Sequence, residues 1–268
     1  MNIKEIHEIN RIAWDEAAAH YEKEVEADIA FIKSGGKNLE PAELAILHDL
    51  RAWCGRAIHL QCAGGRDTLS LWNHGAASVV GVDISPRMID CARRKSTALH
   101  APAEWYAQDI LDTPPSLDGT ADLVYTGRGA LIWMMDLDAL AAVVKRLLKP
   151  GGCVYVFEPH PISVLWRGDV DHYQLEEGGL GDYFDKRLYE CQGFAKEYID
   201  GDNLPEQPAP KYSRLWTIGD VVTALASAGL RLEMLVEHPD DPYPKVHKIP
   251  KEVLTKLPQS FSLLMTNK

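Results

Sequence analysis

The hydrophobic positions of this chain change period several times along its length. Five apolar runs have the length of buried strands: 57–62, 78–83, 104–107, 122–127 and 153–157. Three segments between them carry apolar residues at helical spacing: 66–74, 86–98 and 137–148. Strands that alternate with helices through short connections predict a parallel sheet covered on both faces.

The two ends of the chain add further elements to this pattern. Residues 2–33 predict one long helix, because isoleucine recurs at threefold spacing and Trp14 and Tyr21 continue the same face. Residues 41–53 predict a second helix, which begins at a proline. The elements expected after the core are a helix at 218–228 and two strands at 230–237 and 261–265, which close the sheet as an antiparallel hairpin.

These elements divide the chain into four segments. We expect an N-terminal helical cap (1–53), an α/β core (54–161), a lid insertion (162–216) and the C-terminal part of the core (217–268). The insertion is the least regular segment and is rich in aromatic residues, among them Tyr198. Because it follows the fifth strand, it predicts a substrate lid.

Composition narrows the classes of partner. The formal net charge is −11 and no dense run of lysine or arginine occurs, which disfavours nucleic acid as a partner and favours a small molecule. Five cysteines without a C-x-x-C pair indicate free thiols in a reducing cytoplasm. We expect a cytoplasmic protein without a signal peptide or membrane span, because no long apolar run is present.

The first predicted strand enters a turn of small residues, and the second ends on a carboxylate. Ala63, Gly64 and Gly65 would let a ligand approach the backbone closely, and Asp83 could accept both hydroxyls of a ribose. Read as G-x-G-x-x-G, the turn has Gln61 and Ala63 at the first two glycine positions and Gly65 one residue too early. The spacing therefore favours an adenosine over a dinucleotide.

Residues 59–69 resemble the first motif of class I S-adenosylmethionine-dependent methyltransferases, in a small-molecule subgroup that reads H-L-Q-C-x-x-G-x-D-T-L. Segments 82–88, 108–110 and 148–152 are similar to the family's later motifs, in order, so the resemblance covers about residues 57–160. Two positions depart from the common pattern. His59 stands where many members have an acid, as in the subgroup, and Ala63 stands at the middle glycine.

The resemblance implies a fold and a function. The fold would be α/β, a doubly wound, mostly parallel seven-stranded sheet with an N-terminal helical cap and a lid insertion after the fifth strand. The function would be transfer of a methyl group from S-adenosylmethionine to a small-molecule acceptor in secondary metabolism. Aromatic and acidic side chains of the insertion favour an aromatic or amine-bearing acceptor. N-, O- and C-methylation and the oligomeric state stay open, with a homo-oligomer possible.

Two other functions stay open beside it. One is a non-catalytic S-adenosylmethionine-binding or scaffolding protein, because Gln61 and Ala63 depart from the motif and no unmistakable catalytic group is present. The other is an NAD-linked oxidoreductase, which the spacing of the glycines disfavours.

The motif positions imply a set of cofactor-binding residues: Tyr21, Cys62, Ala63, Gly64, Gly65, Arg66, Asp83, Ile84, Met88, Gln108, Asp109, Ile110 and Thr126. Among these, Met88 would lie on the adenine face and Asp109 would accept the exocyclic amine of adenine. The end of the fourth strand, with Arg128 and Gly129, is expected to line the crevice where the strand order reverses.

Catalytic candidates follow the fifth strand. His160 and Glu158 lie where the acceptor is expected, and histidine titrates near neutrality, so we expect a general base or acceptor-orienting role. His238, Asp240, Asp241 and His247 have side chains that bind metals. The prolines among them disfavour a preformed site, so no metal is predicted.

Overall fold

The fold is known from a computed structural model, which describes residues 1–167, 169–175, 182–194, 206–240 and 248–268. Tyr198 of the insertion and the metal candidates Asp241 and His247 lie outside these ranges. The described helices are α1 (Ile3–Lys33), α2 (Pro41–Leu47), α3 (Arg66–Asn73), α4 (Pro86–Leu99), α5 (Leu137–Leu147), α6 (Ile218–Ser227) and α7 (Lys251–Leu254).

The strands form one large sheet and one hairpin. The described strands are β1 (Arg56–Leu60), β2 (Ser78–Asp83), β3 (Ala103–Ala107), β4 (Ala121–Gly127), β5 (Leu148–Pro159), β6 (Tyr189–Gln192), β7 (Pro210–Ser213), β8 (Arg231–His238) and β9 (Ser260–Thr266). The seven-stranded sheet has the order β3-β2-β1-β4-β5-β9-β8, and β6 pairs with β7. Strands β1 to β5 are parallel, and β9 runs antiparallel to both of its neighbours. The predicted fold class is confirmed.

The strands are buried because helices cover both faces of the sheet. Alternate residues Ile58, Val80 and Val124 pack on one face with α5 and α6. Ala57 and Leu123 point the other way, toward α2 and α3. This two-sided burial explains why the strands read as continuous apolar runs. It also leaves the carboxyl ends of β1, β2 and β4 at one edge, where the loops diverge.

Local chemistry sets the ends of the helices. The Ser85 hydroxyl caps α4 by accepting from the Met88 amide at 3.1 Å, and Pro86 follows it. Helix α1 starts with a capping box between Asn2 and Glu5. The predicted helix 41–53 is shorter than expected, because His48 adopts a left-handed conformation (φ 52°) that ends α2 at Leu47.

The hairpin of β6 and β7 lies in the predicted insertion and contacts the cap helix α1. The Asn10 side chain donates to the Tyr212 carbonyl at 2.8 Å and accepts from the Tyr212 amide at 2.7 Å, so it pairs with β7 as a neighbouring strand would. Strand β7 then leads to Arg214, whose amide donates to the Ile132 carbonyl. Among the described helices, none has the length and apolar content needed to cross a membrane.

Candidate active site

A cavity of about 450 Å³ opens at the carboxyl edge of the sheet, within the size range of small-molecule sites. Three parts of the chain line it: the turn at 61–65 after β1, the loop at 127–130 after β4, and the inner face of α1. Asp83, Ile84 and Met88 add the end of β2 and the first turn of α4. The two loops come from adjacent strands, as expected where the strand order reverses.

The turn after β1 needs glycine at two positions. A Cβ on Gly64 would lie 3.3 Å from the Lys95 Nζ and 3.4 Å from the Tyr21 ring. Gly65 has φ +78°, and a Cβ there would lie 2.6 Å from the Ala92 Cβ. Larger residues would therefore separate α4 and α1 from the turn or fill the cavity.

The Asp83 carboxylate is fixed at the cavity wall by backbone amides. It accepts from the Ala63 amide at 2.8 Å and from the Ser85 amide at 2.9 Å. Burial raises its pKa to about 6, although these two hydrogen bonds act in the opposite direction. Asp83 therefore presents a preorganised acceptor on the side that faces the cavity.

Three non-glycine residues with positive φ line the cavity. The values are 58° at Gln61, 44° at Ala63 and 62° at Arg128. Such conformations are unfavourable for L-residues and cluster at functional sites. The Gln61 amide nitrogen donates to the Ala130 carbonyl at 3.1 Å, while its Oε1 is buried without a hydrogen-bond partner among the described residues.

A charged network stands at the end of the cavity near β4. The Arg128 guanidinium contacts Glu40 and Glu43, each at 3.1 Å, and Asp67 at 3.8 Å. Glu43 is fully buried, and its other oxygen accepts from the Tyr125 hydroxyl at 2.7 Å. Burial raises the pKa of Glu43, opposed mainly by the Arg128 charge. The network holds α2 and the loop after β4 together.

The cap helix α1 lines the cavity and is attached by polar contacts, three of which lie near its start, its middle and its end. The His7 ring lies 2.7 Å from the Asp109 carboxylate, and the Asp15 carboxylate accepts from the Ser85 hydroxyl. Farther along, Asp28 binds the Lys95 ammonium at 2.6 Å, and that ammonium also donates to the Gly64 carbonyl at 2.8 Å. The glycine turn is thereby connected to the cap helix.

Comparisons with known proteins agree with this geometry. Residues 57–152 match the methyltransferase domain family. An uncharacterized methyltransferase of Synechocystis is 34% identical over 107 residues, which cover 39% of this chain and 47% of the relative. The demethylmenaquinone methyltransferase of Chlorobaculum parvum is 33% identical over 86 residues, covering 31% of this chain and 32% of the relative. The chain thus spans about half or less of these relatives' lengths.

Solved structures share the fold of most of this chain. An S-adenosylmethionine-dependent methyltransferase from Mesorhizobium loti has a TM-score of 0.57 and 21% identity, over 84% of this chain and 96% of the other. The geranyl diphosphate C-methyltransferase of Streptomyces coelicolor, in complex with S-adenosyl-L-homocysteine, has a TM-score of 0.57 and 16% identity, over 86% and 77% of the chains. Family and fold together support the predicted enzyme class and its cofactor.

Most of the predicted cofactor residues line the cavity at the carboxyl edge of the sheet: Tyr21, Cys62, Ala63, Gly64, Gly65, Arg66, Asp83, Ile84 and Met88. Arg128 and Gly129 line it too, as expected for the end of β4. These residues lie together because the turn after β1, the end of β2 and the end of β4 share one sheet edge.

The structure places four predicted cofactor residues away from the cavity lining. The Asp109 carboxylate binds His7, and the Gln108 amide donates to the Asp112 carbonyl at 2.7 Å. Ile110 packs in the core beside α5, and Thr126 is buried at the end of β4 with its hydroxyl unpaired among the described residues. The cofactor role of these four residues stays a prediction.

The two catalytic candidates bind other parts of the protein. Glu158 is buried and accepts from the amides of Gly129, Ala130 and Leu131 at 2.8–3.0 Å. Burial raises the pKa of Glu158 to about 7, opposed by these amides. The Nε2 atom of His160 lies 2.8 Å from a carboxylate oxygen of Glu237. The Nδ1 atom of the same ring accepts a hydrogen bond from the Ile162 amide. Neither side chain lines the cavity as described, and their catalytic roles stay predictions.

Sequence reasoning missed several residues of the cavity wall, among them Trp14, Asp28, Lys95 and Trp133. Trp14 lies on the predicted apolar face of α1, which was a usable signal. Asp28 and Lys95 meet only because α1 packs on α4, and no local motif marks that pairing.

Proposed function

We propose that this protein transfers a methyl group from S-adenosylmethionine to a small-molecule acceptor, an aromatic or amine-bearing metabolite. The observation that carries the proposal is the fixed Asp83 carboxylate beside the glycine turn, in one cavity of a domain that matches the methyltransferase family. The geranyl diphosphate complexes of structural neighbours support a small-molecule acceptor.

The cavity residues fit this cofactor. The unpaired Gln61 Oε1 offers an acceptor for an ammonium group, and Asp83 offers one for the ribose hydroxyls. When bound, S-adenosylmethionine would supply a sulfonium methyl group, which is already a strong electrophile. The protein then has to bind, orient and exclude water, as the contacts of α1 with the turn and with α4 allow.

The acceptor is expected at Trp14 and Trp133, two aromatic residues of the cavity lining. The two rings meet edge to face with centroids 5.4 Å apart, and the Phe194 ring of the insertion lies 4.7 Å from Trp14. We propose that Glu158 acts by holding the loop at 129–131 in place. We keep His160 as the candidate base, with Glu237 orienting its ring.

We expect the partner of this protein to be a small molecule. The net charge of −11 supports a small molecule rather than nucleic acid. A cytoplasmic location and a homo-oligomer remain predictions, for which solution mass and cell fractionation are the measurements.

Calorimetric titration with S-adenosylhomocysteine tests the function, with NAD in parallel and Asp83→Ala as the control variant. We expect micromolar binding of S-adenosylhomocysteine that the variant loses, and no binding of NAD. Binding followed by turnover in an acceptor screen separates an enzyme from a non-catalytic cofactor-binding protein. Binding of NAD alone by the folded protein would reverse the proposal in favour of an oxidoreductase.

A further inference from the structure

Lys211 is a buried cation on the inner side of β7. It is 5% exposed, and burial lowers the pKa of its ammonium. Across the hairpin, Cys191 pairs with it in register, and the thiol is its hydrogen-bonding neighbour. Within the described ranges, no carboxylate lies within ion-pair distance of Lys211. A buried ammonium without an anion is unfavourable, so an anion that approached Lys211 would stabilise its charged form.

Aromatic rings connect this ammonium to the cavity. The Lys211 Nζ lies 3.9 Å from the centre of the Phe194 ring and 5.8 Å from that of Trp133. Trp133 and Trp14 both line the cavity. Phe194 packs in one cluster with Met88, beside the glycine turn. Lys211 therefore lies one ring behind the cavity wall, on the side formed by Trp133.

We propose that Lys211 binds an anionic group of the acceptor, a carboxylate or a phosphate, while the acceptor's aromatic body lies against Trp14 and Trp133. This inference rests on the proposed methyl transfer and narrows its acceptor to an aromatic acid or aryl phosphate. The Phe194 ring belongs to the insertion and moves off the ammonium when the acceptor's anion takes its place.

The rings explain why an aromatic anion suits this position better than a small ion. The faces of Phe194 and Trp133 partly stabilise the ammonium through cation–π attraction. An ion that displaces Phe194 has to replace that attraction and the lost apolar contact. An aromatic acceptor does both, because its ring packs on the tryptophans while its anion pairs with Lys211.

The test uses the full chain saturated with S-adenosylhomocysteine and three matched probes that differ in charge: 4-hydroxyphenylacetate, 4-hydroxyphenylacetamide and tyramine. Dissociation constants from ligand-observed NMR titrations are compared, and phenyl phosphate distinguishes phosphate from carboxylate. We expect the anions to bind at least about 10-fold more tightly than the amide, the range for a hydrogen bond to a charged group.

Three variants test whether Lys211 causes the tighter binding of the anions. Lys211→Met should reduce this preference to about twofold or less, and Lys211→Arg should keep most of it. Lys256→Met, at an exposed lysine outside the cavity lining, should leave it unchanged. Affinity for S-adenosylhomocysteine should stay the same in all variants, which also shows that they are folded.

The outcomes separate this inference from the function on which it rests. Equal binding of amide and anion, no binding of either anion, or an anion preference that survives in Lys211→Met would overturn the role of Lys211 while leaving methyl transfer intact. Tighter binding of tyramine would overturn it in favour of an aromatic cage for cations. Failure of the wild-type chain to bind S-adenosylhomocysteine would overturn the proposed function and this inference together.

Discussion

The buried carboxylate of Asp83 should make cofactor binding depend on pH. The pKa of Asp83 in the folded protein is about 6, above the ordinary 3.8. The contribution of this carboxyl group to the stability of the fold therefore falls as the pH rises from 3.8 to 6. Ribose hydroxyls need the ionised acceptor, so affinity for S-adenosylhomocysteine should be full above about pH 7 and fall as the pH drops through 6. Calorimetry at several pH values measures this, and a pH-independent affinity would contradict it. Asp83→Asn should bind weakly at every pH.

We expect a glycine at position 63 to stabilise the fold. Ala63 has a φ of 44°, which is unfavourable for alanine and favourable for glycine, so Ala63→Gly should raise the free energy of unfolding by about 0.5–1 kcal/mol. Ala142→Gly, on the exposed side of α5, is the matched control and should lower it by about 1 kcal/mol. Chemical denaturation of both variants measures the difference, and a loss of stability in Ala63→Gly would show that the methyl group is needed for packing.

A substitution at Glu158 tests whether this carboxylate has a structural or a catalytic role. Glu158→Ala leaves three amides of a cavity loop without their acceptor, so unfolding should become easier by about 3 kcal/mol, and affinity for S-adenosylhomocysteine should fall. Thermal denaturation and calorimetry measure the two effects. A variant with unchanged stability and cofactor affinity but lost turnover would instead support direct catalysis.

How far the site can be predicted depends on how local its causes are. Gly64, Gly65 and Asp83 are predictable because a tight turn and a strand end impose their residue types. The contact of Asp109 with His7 joins residues 102 positions apart, so the arrangement of α1 decides it. No sequence pattern marks Lys211 as a buried residue, because its burial depends on the hairpin and on Phe194.

Between elements, a buried ion pair is one of the contacts that attach α1 to α4. Lys95 is 1% and Asp28 5% exposed, so Asp28→Ala should leave an unpaired ammonium and lower the free energy of unfolding by about 3–5 kcal/mol. The double variant Lys95→Met with Asp28→Leu should recover most of this loss, as denaturation curves would show. A double variant as unstable as the single one would mean that the charges, and not their burial, hold α1.

The elements themselves were largely predictable where their periodicity is long or their composition is strongly apolar. Helix α1 and strands β1, β2 and β4 follow the expected ranges within a few residues. Helix α2 ended early because the backbone at His48 turns left-handed, which no pattern marks. The hairpin β6–β7 has short strands whose partners include Asn10 of α1, so local sequence could not specify it.

At the scale of the whole molecule, the C-terminal segment is part of the sheet. Strand β9 pairs with β5 over residues 153–159, and Leu263 and Met265 are fully buried. A chain that ends at residue 216 would expose β5 as an apolar edge and should aggregate. Removal of Lys268 alone, an exposed residue, should leave a soluble monodisperse protein. Size-exclusion chromatography compares the two, and a soluble, folded shorter chain would contradict this expectation.

The cap helix α1 has a consequence for turnover. It contacts the domain near its start, its middle and its end, through His7, Asp15 and Asp28. A rigid helix cannot release one of these contacts far without straining the others, so cofactor exchange requires them to open together. Product departure, rather than the chemical step, should then limit the steady state, and a burst of one methylated product per enzyme should precede it.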